Sequence, residues 1–320
     1  MSSAALRRVA EIVCLGLACL ALGGCALLPA AAPAPTYPPG IASRAELTAV
    51  PFFPQEEYQC GPAALAMVLQ AAGVARTPEQ LSREVYLPAK EGSLQSDMLA
   101  ATRRAGLVAV ILPPNLGAIV QELAAGHAVV VLQNLGFDVF PRWHYAVVVG
   151  YDLGRHELVL RSGDRQRLVV SEGGFDASWS KSGRWALLAV PARELPASVG
   201  EDGYVAAAAV LERVAPDRAR EAYELVLSRW PQDLVARMGL GNLAYGARDL
   251  GKAEAQYRLA AAEHADSGDA WNNLAQVLHE QGRDGEALAA AQRAVAIGGP
   301  RLQAYRETLS AIGVAPASAP

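Results

Sequence analysis

The sequence contains few cysteines and few aromatic residues, and neither positive nor negative charge is in marked excess. Its 320 residues include 4 cysteines, 6% aromatic residues and a formal net charge of −4. It has no Lys/Arg-rich run, which argues against a nucleic-acid partner, and no acidic tail. After residue 30 no apolar run approaches the ~20 residues of a membrane span. The length, and an apolar fraction of 52%, predict about two domains with separate cores.

The N-terminus has the pattern of an export signal. Two arginines precede an apolar run over residues 12–22, which ends in Leu-Gly-Gly-Cys at Cys25. This ending resembles the lipobox of bacterial lipoproteins. The resemblance implies that residues 1–24 are a lipoprotein signal peptide and that Cys25 carries the lipid. Ala26 after the cysteine implies the outer membrane, facing the periplasm. The alternative is an uncleaved apolar anchor or a first core helix.

Only one thiol then remains free in the mature chain. Cys14 and Cys19 lie within the signal peptide and Cys25 is lipidated, which leaves Cys60. Exported proteins usually pair their cysteines in disulfides. A single unpaired thiol is therefore either reactive or buried in a core.

The composition divides the rest of the chain into four segments. Residues 25–46 are a Pro/Ala-rich linker, 47–192 an α+β domain, 193–203 a second linker and 204–320 an Ala-rich helical domain. Val-rich runs predict strands that are covered on both faces. Helices are predicted over 62–73, 77–85, 93–105 and 115–125, and strands over 107–112, 127–132, 145–151, 157–161, 167–170 and 185–190.

The helical domain repeats itself. Ala219, Ala253 and Ala287 are spaced by 34 residues, the period of tetratricopeptide repeats. Three units are predicted, with a capping helix over 302–312, and an ordinary helical bundle is the alternative. Stacked helix pairs of this kind form a groove that binds a protein partner. Polar residues of the first helices are expected to line that groove: Arg237, Asn242, Asn272 and Asn273.

Cys60 directly precedes a predicted helix that starts with Gly61 and Pro62. The free N–H groups and the dipole of a helix N-terminus favour a thiolate, so this thiol is a candidate nucleophile. Acyl transfer also needs donors for the developing oxyanion, and the N–H of Cys60 with the amide of Gln55 or Gln59 can supply them. The alternative is an inert, buried thiol.

A base is needed to complete such a site. His144 lies at the entry of the strand predicted over 145–151, where a sheet end can hold the imidazole rigidly. His127, which opens another buried strand, is expected to be structural. A cysteine followed 80 to 90 residues later by a histidine matches the papain-like order.

The two motifs CGPAAL at Cys60 and HYAVVVGYD at His144 resemble the bacteriocin-processing, double-glycine leader peptidases of the papain-like clan. They are also similar to lipoprotein relatives of these enzymes with appended tetratricopeptide repeats. The resemblance implies an α+β papain-like cysteine peptidase domain followed by an all-α repeat domain. It also implies that Cys60 is the nucleophile, His144 the general base and acid, and Gln55 the oxyanion donor.

Two positions depart from that family. Gln55 lies five residues before the cysteine instead of six, so Gln59 remains open as the oxyanion donor. The family also has an aspartate after the hairpin that follows the histidine, and Ser162 is nearest to its position. Asp164 lies two residues further, on the same face if the strand continues. Asp164 is therefore predicted to orient His144, with Ser162 or no third residue as alternatives.

These features predict a lipid-anchored, extracytoplasmic cysteine peptidase of the bacterial envelope, with repeats that recruit a protein partner. Its substrate is expected to be a peptide or protein. Scattered histidines and a single free thiol predict no metal or other cofactor. Two alternatives remain: a non-catalytic binding protein built on the same fold, and an acyl transferase that uses the same Cys–His pair.

Overall fold

The structure is a computed structural model that describes residues 37–55 and 59–313. The signal peptide predicted over residues 1–24 and the lipidation predicted at Cys25 lie outside the described residues. None of the described helices is both long and apolar enough to cross a membrane.

A seven-stranded antiparallel sheet forms the centre of the first domain. Its strand order is β4-β9-β5-β6-β7-β8, and β1 pairs with the C-terminal end of β6. A separate two-stranded ribbon, β2 and β3, lies between the first helices of the domain. The strands are β1 (Arg44–Glu46), β2 (Tyr86–Leu87), β3 (Gly92–Ser93), β4 (Val108–Ile111), β5 (Val129–Asn134), β6 (Trp143–Asp152), β7 (Glu157–Ser162), β8 (Arg165–Ser171) and β9 (Ala186–Val190).

Twelve α-helices lie within the described residues, five in the first domain and seven in the second. They are α1 (Cys60–Ala71), α2 (Pro78–Val85), α3 (Gln95–Arg104), α4 (Leu116–Ala124), α5 (Glu172–Trp179), α6 (Glu201–Ala209), α7 (Pro216–Arg229), α8 (Leu234–Gly246), α9 (Leu250–Glu263), α10 (Gly268–Glu280), α11 (Asp284–Ile297) and α12 (Leu302–Gly313).

Both faces of the sheet are buried, as the continuous apolar runs predict. Successive side chains of a strand point to opposite faces. Val130 and Val147 therefore pack with helices α1, α2 and α3 in one core. Val129 and Val148 pack with α4 and α5 in the other. Helix α1 is apolar on every side and buried from Gly61 to Leu69, which fixes its N-terminus firmly against the sheet.

The second domain consists of antiparallel helix pairs followed by the predicted capping helix, α12. Ala219, Ala253 and Ala287 are fully buried, as their spacing predicts. Close packing also depends on glycine here: a Cβ atom on Gly241 would lie 2.4 Å from the ring of Tyr257.

The two domains share one core instead of being joined by a free tether. Tyr204 of α6 and Tyr223 of α7 belong to the same apolar cluster as α4 and the back face of the sheet. The segment predicted as a linker over 193–203 is fixed to the first domain. The backbone N–H of Ser198, for example, donates to the buried carboxylate of Glu122 at 2.7 Å.

Two elements differ from the sequence prediction. Residues 44–46, predicted as the end of a linker, form β1. The C-terminal end of β6 extends beyond β5 and offers its backbone groups to this segment. The segment has no apolar alternation from which a strand could be predicted. Helix α5 was not predicted, since it carries two adjacent glycines, Gly173 and Gly174, and only Phe175 and Trp179 as large buried side chains.

Candidate active site

Cys60 is the first residue of α1, and its thiol is free and half-buried in a cleft. Burial raises the pKa of the thiol above its usual value, although the nearby backbone N–H groups of Tyr145, Gly61 and Cys60 itself act in the opposite direction. The N–H groups at the helix N-terminus thus favour the thiolate, as expected, while burial opposes it. Desolvation of the sulfur outweighs the three donors.

His144 lies in β6, opposite Gln133 of β5, and lines the same cleft as Cys60. Its Nε2 atom lies 2.9 Å from the hydroxyl oxygen of Ser162 in β7. Burial, helped by the positive charge of Arg142, lowers the pKa of His144 to about 4. Because Nε2 is occupied by Ser162, Nδ1 is the ring nitrogen left for a proton transfer. Within the described residues no hydrogen bond joins His144 to Cys60.

Ser162, and not Asp164, is the partner of the imidazole. The pairing of Ser162 with Arg165 leaves Gly163 and Asp164 as a two-residue turn between β7 and β8, and the carboxylate is exposed. The prediction that Asp164 orients His144 assumed that the strand continues to this residue. The chain instead reverses at Gly163, whose φ of +62° favours glycine, so the two-residue alternation does not apply.

Gln55 is fixed beside the cleft by both ends of its side-chain amide. Its Oε1 accepts from the backbone N–H of Gly163 at 2.8 Å, and its Nε2 donates to the carbonyl of Tyr145 at 3.1 Å. One Nε2 hydrogen remains available to a ligand in the cleft. Gln59, the alternative donor, is the N-cap of α1 without a side-chain cap bond and is not among the described residues that line the cleft.

The opposite wall of the cleft contains residues that the sequence did not indicate. Ser93 of β3 fills the space beside Gly61, where a Cβ atom would lie 2.3 Å from the serine oxygen. That buried hydroxyl has no hydrogen-bond partner among the described residues. Gly61 thus makes room for β3. Leu94 and Trp143, both about half exposed, also line the cleft.

No group of three His, Cys, Asp or Glu side chains that could hold a metal ion lies within the described ranges. The cleft contains a thiol, an imidazole, amides and hydroxyls, together with the charged side chains of Lys90, Glu91, Arg142 and Lys181. This set suits attack on a carbonyl carbon.

Comparison with known families agrees with the fold and with the two motifs. Residues 47–186 match the model of the Peptidase_C39 like family. Residues 204–268 and 238–301 match the model of the tetratricopeptide repeat. The chain carries a C39-like peptidase domain followed by tetratricopeptide repeats. The resemblance drawn from the motifs at Cys60 and His144, and the repeat drawn from the 34-residue spacing, are thereby confirmed.

Two solved structures are similar to the C39-like domain. A C39-like peptidase from Bacillus anthracis is 21% identical, covers 46% of this chain and 97% of its own, and has a TM-score of 0.39. The peptidase domain of Streptococcus ComA, a bifunctional ABC transporter involved in a quorum-sensing pathway, is 20% identical, covers 44% of this chain and 98% of its own, and has a TM-score of 0.36. No curated protein matches the chain.

The repeat groove uses fewer of the predicted polar residues than expected. Asn272 is buried, Arg237 forms an ion pair with Glu263, and Asn242 accepts a hydrogen bond from the hydroxyl of Tyr257. These contacts hold neighbouring helices together. Asn273, together with the largely buried Asn272, lines a groove between α8, α10 and α12, whose other residues include Tyr245, Gln276, Arg301 and Thr308.

Proposed function

We propose that this protein is a lipid-anchored, extracytoplasmic cysteine peptidase in which Cys60 is the nucleophile and His144 the general base. The observation that carries the proposal is the position of Cys60 at the N-terminus of a buried helix, in one cleft with an imidazole whose far nitrogen is held by Ser162. A nucleophile, a base within the same cleft and a third group that orients the base are the parts that acyl transfer needs.

The hydrogen bonds of His144 suggest how the proton moves. With Nε2–H donating to Ser162, Nδ1 carries the lone pair and accepts the proton from the Cys60 thiol as the sulfur attacks the peptide carbonyl. The backbone N–H of Cys60 and the free Nε2 hydrogen of Gln55 stabilise the oxyanion. The imidazolium then protonates the leaving amine, and the thioester is hydrolysed by water that His144 deprotonates.

The electrostatics favour a neutral resting pair in this mechanism. Burial disfavours both the thiolate of Cys60 and the imidazolium of His144, so the thiol keeps its proton until a substrate is bound. Ser162 orients the ring without stabilising its positive charge as a carboxylate would. The base therefore stays neutral, and able to accept a proton, down to about pH 4.

Two other features of the site support a second candidate, a non-catalytic peptide-binding domain. Within the described residues the half-buried thiol has no hydrogen bond to the imidazole, and the imidazole is held by Ser162 instead of a carboxylate. A peptidase that had lost its activity would keep a site of this kind. Hydrolysis separates the two candidates, since a binding domain needs neither the thiol nor the base.

The test is hydrolysis of a fluorogenic peptide pool by the full-length chain. We expect Cys60→Ala to lower kcat/KM by at least about 1000-fold and His144→Ala to lower it by a similar factor, because the two groups act as a unit. His156→Ala is the matched control, since this imidazole is 73% exposed in a hairpin. Equal hydrolysis by Cys60→Ala and the unchanged chain would rule out the peptidase; transfer of the acyl group to added amines in place of hydrolysis would indicate the acyl transferase.

The anchor and the recruiting role of the repeats belong to the same proposal. The Leu-Gly-Gly-Cys ending supports lipidation, so Cys25→Ser should release the protein from membranes. The groove lined by Asn273, Gln276 and Thr308 is proposed to bind a protein segment. Asn273→Ala/Gln276→Ala in the full chain should then weaken capture of that partner without changing peptide hydrolysis. Membrane attachment or capture that persists in these variants would refute the respective part.

A further inference from the structure

An unusual surface borders the cleft on the side of His144. The loop between β5 and β6, residues 135–142, together with Trp143 at the start of β6, is called the aromatic rim below. Phe137, Val139 and Phe140 are 76%, 79% and 79% exposed, and Trp143 is 50% exposed. Large apolar side chains are rarely this exposed in a continuous stretch unless the surface binds something.

The rim is held in shape by hydrogen bonds at its base. The buried Asn134 accepts from the backbone N–H groups of Gly136 and Arg142, both at 2.9 Å. The backbone N–H of Leu135 donates to the carbonyl of Arg142 at 2.9 Å. Gly136 is needed for this path, because a Cβ atom there would lie 2.4 Å from the carbonyl oxygen of Phe140. The exposed apolar side chains are therefore presented by a fixed backbone.

A second contact fixes the tip. The ammonium group of Lys181 donates to the carbonyl of Gly136 at 3.0 Å and lies 3.3 Å from the carboxylate of Asp138. Since the backbone that carries the apolar side chains is already ordered in this way, no backbone entropy has to be lost when a ligand covers them.

The rim is continuous with the cleft that contains Cys60. Pro141, Arg142 and Trp143 belong to the rim and also line the cleft, and the exposed Leu94 faces them from the opposite wall. A chain that extends from the cleft along β6 therefore meets Trp143 first and the two phenylalanines beyond it. Apolar side chains of such a chain would be covered on leaving the cleft.

Asp138 argues against a lipid surface as the ligand. Its side chain is 84% exposed and lies in the sequence between two of the exposed apolar residues of the rim, Phe137 and Val139. Insertion of these side chains into acyl chains would carry the charge with them, at a high cost in desolvation. A peptide can cover Phe137 and Val139 while the carboxylate stays in water.

We propose that the aromatic rim is a specificity site, at the edge of the catalytic cleft, that binds bulky apolar side chains of the peptide on which Cys60 acts. This inference rests on the proposed function for the identity of the ligand as a substrate. The rim and Leu94 together select an extended or unfolded segment with large apolar residues on one side of the bond that is cut.

Binding can be measured without hydrolysis in the full-length Cys60→Ala chain. The probe is a fluorescein-labelled pool of peptides with Phe and Leu at alternate positions, compared with the same pool carrying Ser and Asn there. We expect the apolar pool to bind about tenfold more tightly, and Phe137→Ser/Phe140→Ser to remove that preference. Both side chains are exposed, so thermal unfolding of the variant should be unchanged.

The control variant is Ile111→Ser/Val169→Ser, which also removes exposed apolar side chains but lies on the edge strands β4 and β8. It should keep the preference for the apolar pool. Equal binding of the two pools, or a preference that survives in the rim variant, would overturn the proposal. If binding depends on the rim but the unchanged chain, with Cys60 in place, hydrolyses no peptide, the proposed peptidase is refuted and the rim remains a peptide-binding site.

Two further outcomes would assign the rim to another partner. One is association with phosphatidylethanolamine/phosphatidylglycerol vesicles that is weaker in the rim variant than in its parent. The other is self-association, measured by sedimentation, that the rim variant abolishes. Either result, without a rim-dependent preference for apolar peptides, contradicts the substrate role.

Discussion

Two histidines, His127 just before β5 and His144 in β6, lie in opposite electrostatic environments. His127 is held between two carboxylates, with Nδ1 at 2.7 Å from Glu122 and Nε2 at 2.8 Å from Glu194, and these contacts raise its pKa. His144 has one neutral partner, Ser162, and burial lowers its pKa to about 4. One imidazole is stabilised as a cation and the other as a neutral ring.

The difference separates a structural contact from a chemical one. Both nitrogens of His127 are occupied, and the hydrogen bonds of Glu122 to His127 and Ser198 connect the peptidase domain to the segment that leads into the repeats. His144 keeps Nδ1 free and faces the cleft. A histidine that is to accept a proton must be neutral and must have a free ring nitrogen. A histidine that only holds two segments together needs neither.

The largest effect is expected from Glu122→Gln, which removes the charge at the centre of the His127 cluster. Burial alone would raise the pKa of Glu122, yet hydrogen bonds from His127 and Ser198 lower it. The carboxylate is therefore ionised, and both of its oxygens accept hydrogen bonds. Its replacement leaves the His127 cation without its main partner. We expect a loss of about 3 kcal/mol in the free energy of unfolding, measured with urea.

The matched variant is Glu194→Gln on the other side of the same ring. This carboxylate is 48% exposed and can be replaced by water, so a loss below about 1 kcal/mol is expected. Equal losses from the two substitutions would mean that burial of the carboxylate does not control the strength of the cluster.

The two histidines should also affect the pH dependence of stability in opposite directions. The folded-state pKa of His127 is raised, so its contribution is complete below the unfolded value of ~6.5 and is lost as the pH rises through the folded value. The folded-state pKa of His144 is lowered, so the unfolded chain takes up the proton first and stability falls from pH ~6.5 towards 4. For His144 we expect an effect of up to about 3 kcal/mol, since its folded pKa of about 4 lies well below the unfolded value.

Urea unfolding at several pH values tests this with His127→Gln and His144→Gln. The first variant should flatten the stability curve above pH ~6.5 and the second below it. A curve that changes on the same side in both variants would contradict the assignment. Below pH ~4.5 the lowered pKa of Glu122 adds a further loss of stability, which both variants should keep in part.

The sequence was informative wherever a local pattern carries the structural information. The Val-rich strands, the start of α1 at Cys60 and the 34-residue spacing of Ala219, Ala253 and Ala287 all depend on residues close in the chain or at a fixed period. The position of His144 at a strand entry could be predicted for the same reason.

The parts that sequence could not predict depend on where a chain reverses or on what packs from elsewhere. Asp164 and Ser162 differ in role because Ser162 is the last residue of β7, whereas Asp164 lies in the β7–β8 turn. Ser93 reaches the cleft through a two-stranded ribbon that no periodicity indicates. The pKa of Cys60 depends on burial, which outweighs the helix N-terminus, and burial is a property of the whole fold.

Ser162→Asp should make the environment of His144 resemble that of His127. A carboxylate at Nε2 stabilises the imidazolium, so the pKa of His144 should rise from about 4 towards or above its ordinary value. Because a base must be neutral to accept a proton, the acid limb of the kcat/KM profile should move to higher pH by about 1–2 units or more. An acid limb that does not move would show that Ser162 does not face the base during turnover.

The smallest effect is expected at the turn, where Ser162→Ala and Asp164→Asn distinguish the two candidates for the orienting residue. Ser162→Ala removes the hydrogen bond at Nε2, so the ring can rotate or exchange tautomers, and kcat should fall by about tenfold with KM little changed. Asp164→Asn changes only an exposed turn carboxylate, and kcat should stay within about twofold. Ser162→Thr, which keeps the hydroxyl, should restore most of the rate if the hydrogen bond is the cause. A loss of kcat in Asp164→Asn that exceeds the loss in Ser162→Ala would return the orienting role to the carboxylate, and would mean that the β7–β8 turn rearranges when a substrate binds.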